Sequence, residues 1–166
     1  MKDSKNLLFD SNLFRTDSTG KSIAFFSIKK PIAVNKDLIN ELKENWLLSP
    51  DKNLRICLHD SPSSLFHEMV ILETQGKYYR PHKHMNKGES YHIIEGKLGI
   101  VNFNDCGDIT DARILDPFND YLYRLGESVY HCVFPLTNPV IYHESKLGPF
   151  KGEGDSIWAP WSPAAD

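Results

Sequence analysis

Two histidines flanking a lysine, with a glutamate five residues beyond the second, carry the most chemical content in this sequence. They lie in the segment Gly76-Lys-Tyr-Tyr-Arg-Pro-His82-Lys-His84-Met-Asn-Lys-Gly-Glu89. Alternation along a strand puts His82 and His84 on one face. Asn86 and Gly88 let the chain turn, and Glu89 then opens the next strand beside them. Two imidazoles and a carboxylate thus converge on one point within a single hairpin. One divalent metal ion is the partner such nitrogen and oxygen donors hold well, and Fe, Mn, Ni, Co and Zn all suit them. A fourth ligand is expected from a later strand. His131, placed after the turn Gly126-Glu-Ser-Val-Tyr, is the best situated. Three histidines and one carboxylate leave one or two positions open for substrate, water or dioxygen.

Other residues offer chemistry around that ion. His59, after Leu-Arg-Ile-Cys-Leu, is either a general acid or base lining the pocket or a turn histidine bonded to backbone. Arg55 and Arg80 bind a phosphate or carboxylate of the substrate if they point inward. Tyr91 shares the inward face of Glu89 and either contacts substrate or fills the core. His143 competes with His131 for the fourth place but falls further along, on the next strand. Alternation turns His92 away from Glu89 and Cys132 away from His131, which suits structural use and an inert buried thiol. His67 carries no signal.

The elements needed to position these residues are legible in outline. Asn35 caps a helix over Asn35–Leu48, in which Leu38, Ile39, Leu42 and Trp46 share a face, and Ser49-Pro50-Asp51 ends it. Ser22–Ile28 reads as a strand. Further strands are expected at Leu54–Leu58, Leu65–Leu72, Tyr78–His84, Glu89–Ile94, Leu98–Phe103, Asp111–Leu115, Tyr121–Leu125, Val129–Phe134 and Val140–Glu144, separated by Gly, Asn, Asp and Pro turns. Short strands at this spacing predict a mainly β barrel or sandwich. The chain divides into an N-terminal extension over 1–34, the helix over 35–50, the barrel over 51–147 and a Pro/Gly/Trp-rich tail over 148–166. Trp158 and Trp161 should hold that tail against the barrel.

Composition narrows the partners. The 166 residues carry a net charge of -3 with 25% charged and 40% hydrophobic residues, an ordinary globular balance for one domain. No basic stripe speaks for nucleic acid, and no apolar run approaches a membrane span. Met1–Asp10 lacks the long apolar run of a secretion signal, so a cytoplasmic location is expected. Cys57, Cys106 and Cys132 are expected to be reduced thiols. A homodimer is expected, with Ser22–Ile28 adding to a neighbour's sheet.

The pattern from Gly76 to Gly96 resembles the first motif of the cupins, G-x5-H-x-H-x4-E-x6-G, at every fixed position. The second motif is partly present: Gly126 and His131 stand at altered spacing, and Pro135 occupies the place of the usual Asn. Arg55-Ile-Cys-Leu-His59-Asp-Ser-Pro, Arg80-Pro-His-Lys-His, Gly148-Pro-Phe and Ala159-Pro-Trp-Ser-Pro together look like the WbuC family of cupin-fold metalloproteins, from the helix to the C-terminus. The resemblance implies a single cupin jelly-roll barrel and a role near surface-polysaccharide (lipopolysaccharide O-antigen) or nucleotide-sugar chemistry. It leaves three readings open. One is a metal-dependent isomerase or epimerase acting on a sugar or nucleotide sugar; the second is an Fe(II)-dependent dioxygenase. The third is a non-catalytic metal-containing module that binds or senses a sugar.

Overall fold

Strand-length alternation and one amphipathic helix account for the architecture seen in a computed structural model of the chain. It describes residues 6–164; the first five residues of the expected extension and the last two of the tail lie outside the described residues. The strands are β1 (Phe14–Asp17), β2 (Ser22–Ser27), β3 (Asn53–Cys57), β4 (Phe66–Glu73), β5 (His82–Lys83), β6 (Glu89–Glu95), β7 (Leu98–Phe103), β8 (Ile109–Leu115), β9 (Leu122–Leu125), β10 (Tyr130–Pro135), β11 (Val140–Leu147) and β12 (Ile157–Trp158). The helix α1 spans Lys36–Leu48, with the Asn35 side chain accepting from the Leu38 N–H at its start.

Two sheets form, in the orders β1-β2-β3-β4-β11-β6-β9 and β12-β5-β10-β7-β8. All pairings are antiparallel except β2 with β3. That parallel pair needs a crossover, and α1 supplies it. Leu38, Leu42 and Trp46 pack on the outward side chains of the larger sheet, Phe25, Leu54 and Ile56 among them. The inward side chains, including Phe26, Met69, Ile93 and Ile100, form the second core between the sheets. The result is a mainly β jelly-roll sandwich with one helix.

Several expectations change. The strand foreseen at Tyr78–His84 is reduced to His82–Lys83, because Pro81 has no N–H for a ladder. Its neighbour is the tail: β12 pairs with β5, Trp158 opposite His82. The last long strand runs to Leu147 rather than Glu144, which brings Lys146 into the sheet. The strand foreseen at Ser22–Ile28 is hydrogen-bonded on both sides, to β1 and to β3, so it has no free edge to offer a second subunit. Among the described residues, no helix is long and apolar enough to cross a membrane.

Both glycines bounding the motif have left-handed backbone, φ +87° at Gly76 and +83° at Gly96. At Gly96 a Cβ would also lie 2.9 Å from the Pro139 carbonyl oxygen. Glycine there lets the β6–β7 turn close against the chain entering β11.

Candidate metal centre

Register brings the histidines together. His82 and His131 are directly opposite one another where β5 pairs with β10, and His84 follows one residue after β5. One ring nitrogen from each of His82, His84 and His131 lies within 4.8 Å of the other two. Glu89 arrives differently from expectation. It is not across a hairpin from His82 and His84, since β5 and β6 belong to different sheets. The chain crosses the sandwich between them, so the carboxylate faces the imidazoles from the opposite layer. Glu89 oxygens stand 3.2 Å from His84 Nε2 and 3.2 Å from His131 Nε2.

The backbone fixes the tautomers. His82 Nδ1 lies 3.2 Å from the Arg80 carbonyl oxygen, His84 Nδ1 2.5 Å from that of Asp155, and His131 Nδ1 3.0 Å from that of Val129. A carbonyl only accepts, so each Nδ1 carries the proton and each Nε2 offers a lone pair. The Nε2 atoms of His84 and His131 are buried and make no hydrogen bond. Buried lone pairs set against a carboxylate repel unless a cation sits among them. This donor set fits a divalent metal ion.

Protons respond to that crowding. Burial opposes the charge on Glu89, yet Lys146, together with His131 and His84 when a proton takes the place of metal on Nε2, holds its carboxyl well below the usual range. Burial pulls the His84 imidazole down, but Glu89 raises it overall. His82 is pushed down to about 4 by burial and by His131 and His84. Two further side chains grip Glu89. The Tyr91 hydroxyl donates to Oε2, and Lys146 Nζ donates to Oε1 at 2.7 Å. Lys146 also lies 2.8 Å from Glu144.

The remaining expected residues spread out. Arg80 is clamped to the tail, donating to Ser162 Oγ at 3.1 Å and the Ala159 carbonyl oxygen at 3.3 Å, and it borders the metal cavity. Tyr91 is buried, donates to Glu89 and lines the same cavity as His82, Glu89 and His131. Arg55 and His59 line an adjoining cavity of about 220 Å³, while His82, Glu89 and His131 line one of about 310 Å³. The two share Glu73, Tyr142, Glu144 and Lys146 as walls. His143 and His92 face each other on the outer side of β11 and β6, and Cys132 borders a separate cavity with Val101 and Phe134.

Sequence reading missed Glu73, Glu144 and Lys146. The signal was present on β11, where Tyr142, Glu144 and Lys146 continue the inward alternation of Val140. Glu73 Oε2 is buried without a hydrogen-bond partner, and the carboxyl is pushed up to about 7 by burial and then by Glu144. A folded value above the unfolded 4.5 means the folded state holds a proton that the unfolded chain has released. That stabilisation is complete below the unfolded value and is lost as pH rises through about 7. Between pH 5 and pH 8 the wild type should therefore lose about 2 kcal/mol relative to Glu73→Gln. Urea unfolding of both proteins at the two pH values measures this; parallel pH profiles would refute it.

Residues 34–115, just under half of the chain, match the model of a family described as a domain of unknown function (DUF6016). That stretch includes α1, His82, His84 and Glu89 and ends before His131. No curated protein matches the sequence. Among solved structures, oxalate decarboxylase from Bacillus subtilis is 12% identical with a TM-score of 0.49, covering 64% of this chain and 27% of that one. CapF with the inhibitor 3-isopropenyl-tropolone is 16% identical with a TM-score of 0.49, covering 62% and 30%. The oxalate decarboxylase formate complex from Lactobacillus farciminis is 14% identical with a TM-score of 0.48, covering 64% and 30%. The chain spans less than a third of the length of these proteins.

Proposed function

We propose that the chain is a metal-dependent enzyme acting on a small polar molecule, with one divalent ion held by His82, His84, Glu89 and His131. The observation that carries this reading is the set of three Nδ1–H groups tied to backbone carbonyls, which frees three Nε2 lone pairs, those of His84 and His131 lying 3.2 Å from the buried Glu89. A divalent ion at such a set supplies Lewis acidity to a carbonyl or hydroxyl oxygen.

The surrounding residues supply proton handling. Glu73 borders the same cavity, and a carboxyl titrating at about 7 is suited to take a proton from substrate and return it. His59, pushed down to about 4 by burial and by His67, serves as a neutral hydrogen-bonding group rather than as the proton carrier. Isomerisation or epimerisation of a sugar or sugar derivative suits these parts. The sequence resemblance to the WbuC family supports placing that chemistry near surface-polysaccharide synthesis.

Metal analysis of the purified protein tests the reading. About one divalent ion per chain is expected, falling at least tenfold in His82→Ala and His131→Ala. A wild-type protein that takes up no divalent ion at neutral pH overturns it. With a substrate in hand, oxygen uptake under air would move the assignment to an Fe(II) dioxygenase, and tight binding without turnover would move it to a sugar-sensing module.

A further inference from the structure

We propose that the cavity around Arg55 is a carboxylate-binding subsite, so that the molecule handled at the metal centre is a small acid with oxygen donors at one end and a carboxylate at the other. The link to the metal end rests on the proposed function; the subsite itself does not.

Alternation on β3 sends Leu54 and Ile56 toward α1 and leaves Arg55 and Cys57 facing the interior. An arginine is charged at every accessible pH, and an interior guanidinium is costly without an anion. Among the described residues, no carboxylate comes within ion-pair distance of Arg55, and its Nε is buried with no hydrogen-bond partner. Lys146, the other cation on this cavity, is already held between Glu89 at 2.7 Å and Glu144 at 2.8 Å. Glu73 supplies only part of the missing charge even at pH 7, because burial and Glu144 push its carboxyl up to about 7. Glu89 lies on the metal side, so on this cavity's own walls the two cations Arg55 and Lys146 outnumber the carboxylate of Glu144, and the surplus is positive.

A neutral donor stands beside it. The Glu68 amide N–H donates to His59 Nδ1 at 3.2 Å, continuing the β3–β4 ladder beyond the strand end, while the Glu68 carbonyl oxygen accepts from the Leu58 N–H at 2.8 Å. The Glu68 carbonyl oxygen also lies 3.1 Å from Nδ1 but is already engaged by the Leu58 N–H, so Nδ1 accepts from the Glu68 N–H and the His59 proton sits on Nε2. His67 Nε2 donates to the Pro62 carbonyl oxygen at 3.1 Å. The two rings stack 4.2 Å apart at 2°, which holds His59 in a fixed plane at the cavity wall.

One guanidinium and one imidazole N–H match a planar monoanion, which accepts in fork geometry from arginine. A phosphate dianion would bring a second negative charge close to Glu144 with no cation to meet it. The shared walls of the two cavities, Glu73, Tyr142, Glu144 and Lys146, let one compact molecule reach from Arg55 to the histidines.

The probe is sodium acetate, with inorganic phosphate in a parallel titration at constant ionic strength and pH 7. The readout is the arginine Nε–H spectrum of the isotope-labelled full chain. Acetate should move the Arg55 signal saturably with a millimolar midpoint, about fivefold or more below that of phosphate. The same acetate midpoint is expected in His82→Ala, and the accompanying shift of the His59 Nε2–H should vanish in Arg55→Gln. No saturation by 100 mM acetate (about the limit of a specific site) overturns the subsite, as does a phosphate midpoint below that of acetate. Acetate binding in a wild type that takes up no metal supports the subsite while sinking the proposed function. Metal uptake without acetate binding sinks the subsite alone.

Discussion

Replacing Lys146 with Met is expected to destabilise the metal-free protein by about 3 kcal/mol and to cost far less once a divalent ion is bound. Lys146 on β11 is the register partner of Glu89 on β6, and its ammonium sits between Glu89 and Glu144. Burial opposes the charge on Lys146, but Glu144 and Glu89 raise its titration above the usual lysine value. Methionine keeps much of the stem packing and removes only the cation. Glu89 and Glu144 are then left buried with two fewer ion pairs, a situation that breaks stability more than the intact pair supports it. A divalent ion bound at Glu89 replaces much of the lost positive charge. Linkage makes the effect reciprocal: if bound metal recovers about 2 kcal/mol, Lys146→Met binds that metal about 30-fold more tightly than wild type. Urea unfolding of both proteins with chelator and with saturating Mn(II) gives the stability gap in each state. Equal gaps would place the metal away from Glu89.

Most of the fold was legible because its signals are local. Asn35 with the Leu38, Ile39, Leu42 and Trp46 stripe specified α1 to within a residue, and the turn residues between apolar runs located most of the strands. Two elements were hidden for a common reason. β12 is two residues long, and its existence depends on β5, whose own length is set by Pro81. β1 forms because β2 offers it an edge, with Phe14 buried beneath. Neither has a sequence period of its own to read.

The site divides the same way. His82, His84 and Glu89 could be grouped from spacing, but spacing gives only which residues share a face of one strand. That Glu89 comes from the opposite sheet, and that Lys146 is its register partner, are consequences of sheet order. No local pattern encodes an order such as β4-β11-β6, in which strands far apart in sequence become neighbours. Arg55 and His59 were suggested together from one segment and do share a cavity. The separation of that cavity from the histidines arises only when the barrel closes around Glu73 and Tyr142.

Asp155→Ala should lower stability by about 3–5 kcal/mol and weaken metal binding by about tenfold or more. Asp155 lies in the tail, in the short 3-10 turn Gly152–Asp155, yet it serves the site twice. Its carboxylate pairs with the ammonium of Lys87, and its backbone oxygen accepts from His84 Nδ1. Lys87 is only 5% exposed, and without the carboxylate its remaining partner is the Pro149 carbonyl oxygen at 2.8 Å. A buried ammonium left with a single neutral acceptor accounts for the stability loss. The metal effect follows from slackening of the turn, since the Asp155 carbonyl fixes both the orientation and the tautomer of His84. These two consequences separate in the double variant Lys87→Met/Asp155→Ala. Removing both charges should return stability to within about 1 kcal/mol of wild type, while metal affinity stays low because the turn has lost the pair that anchored it. Unfolding in chelator and metal titration of the three proteins check this. Wild-type metal affinity in Asp155→Ala would show that the tail braces the barrel without positioning His84.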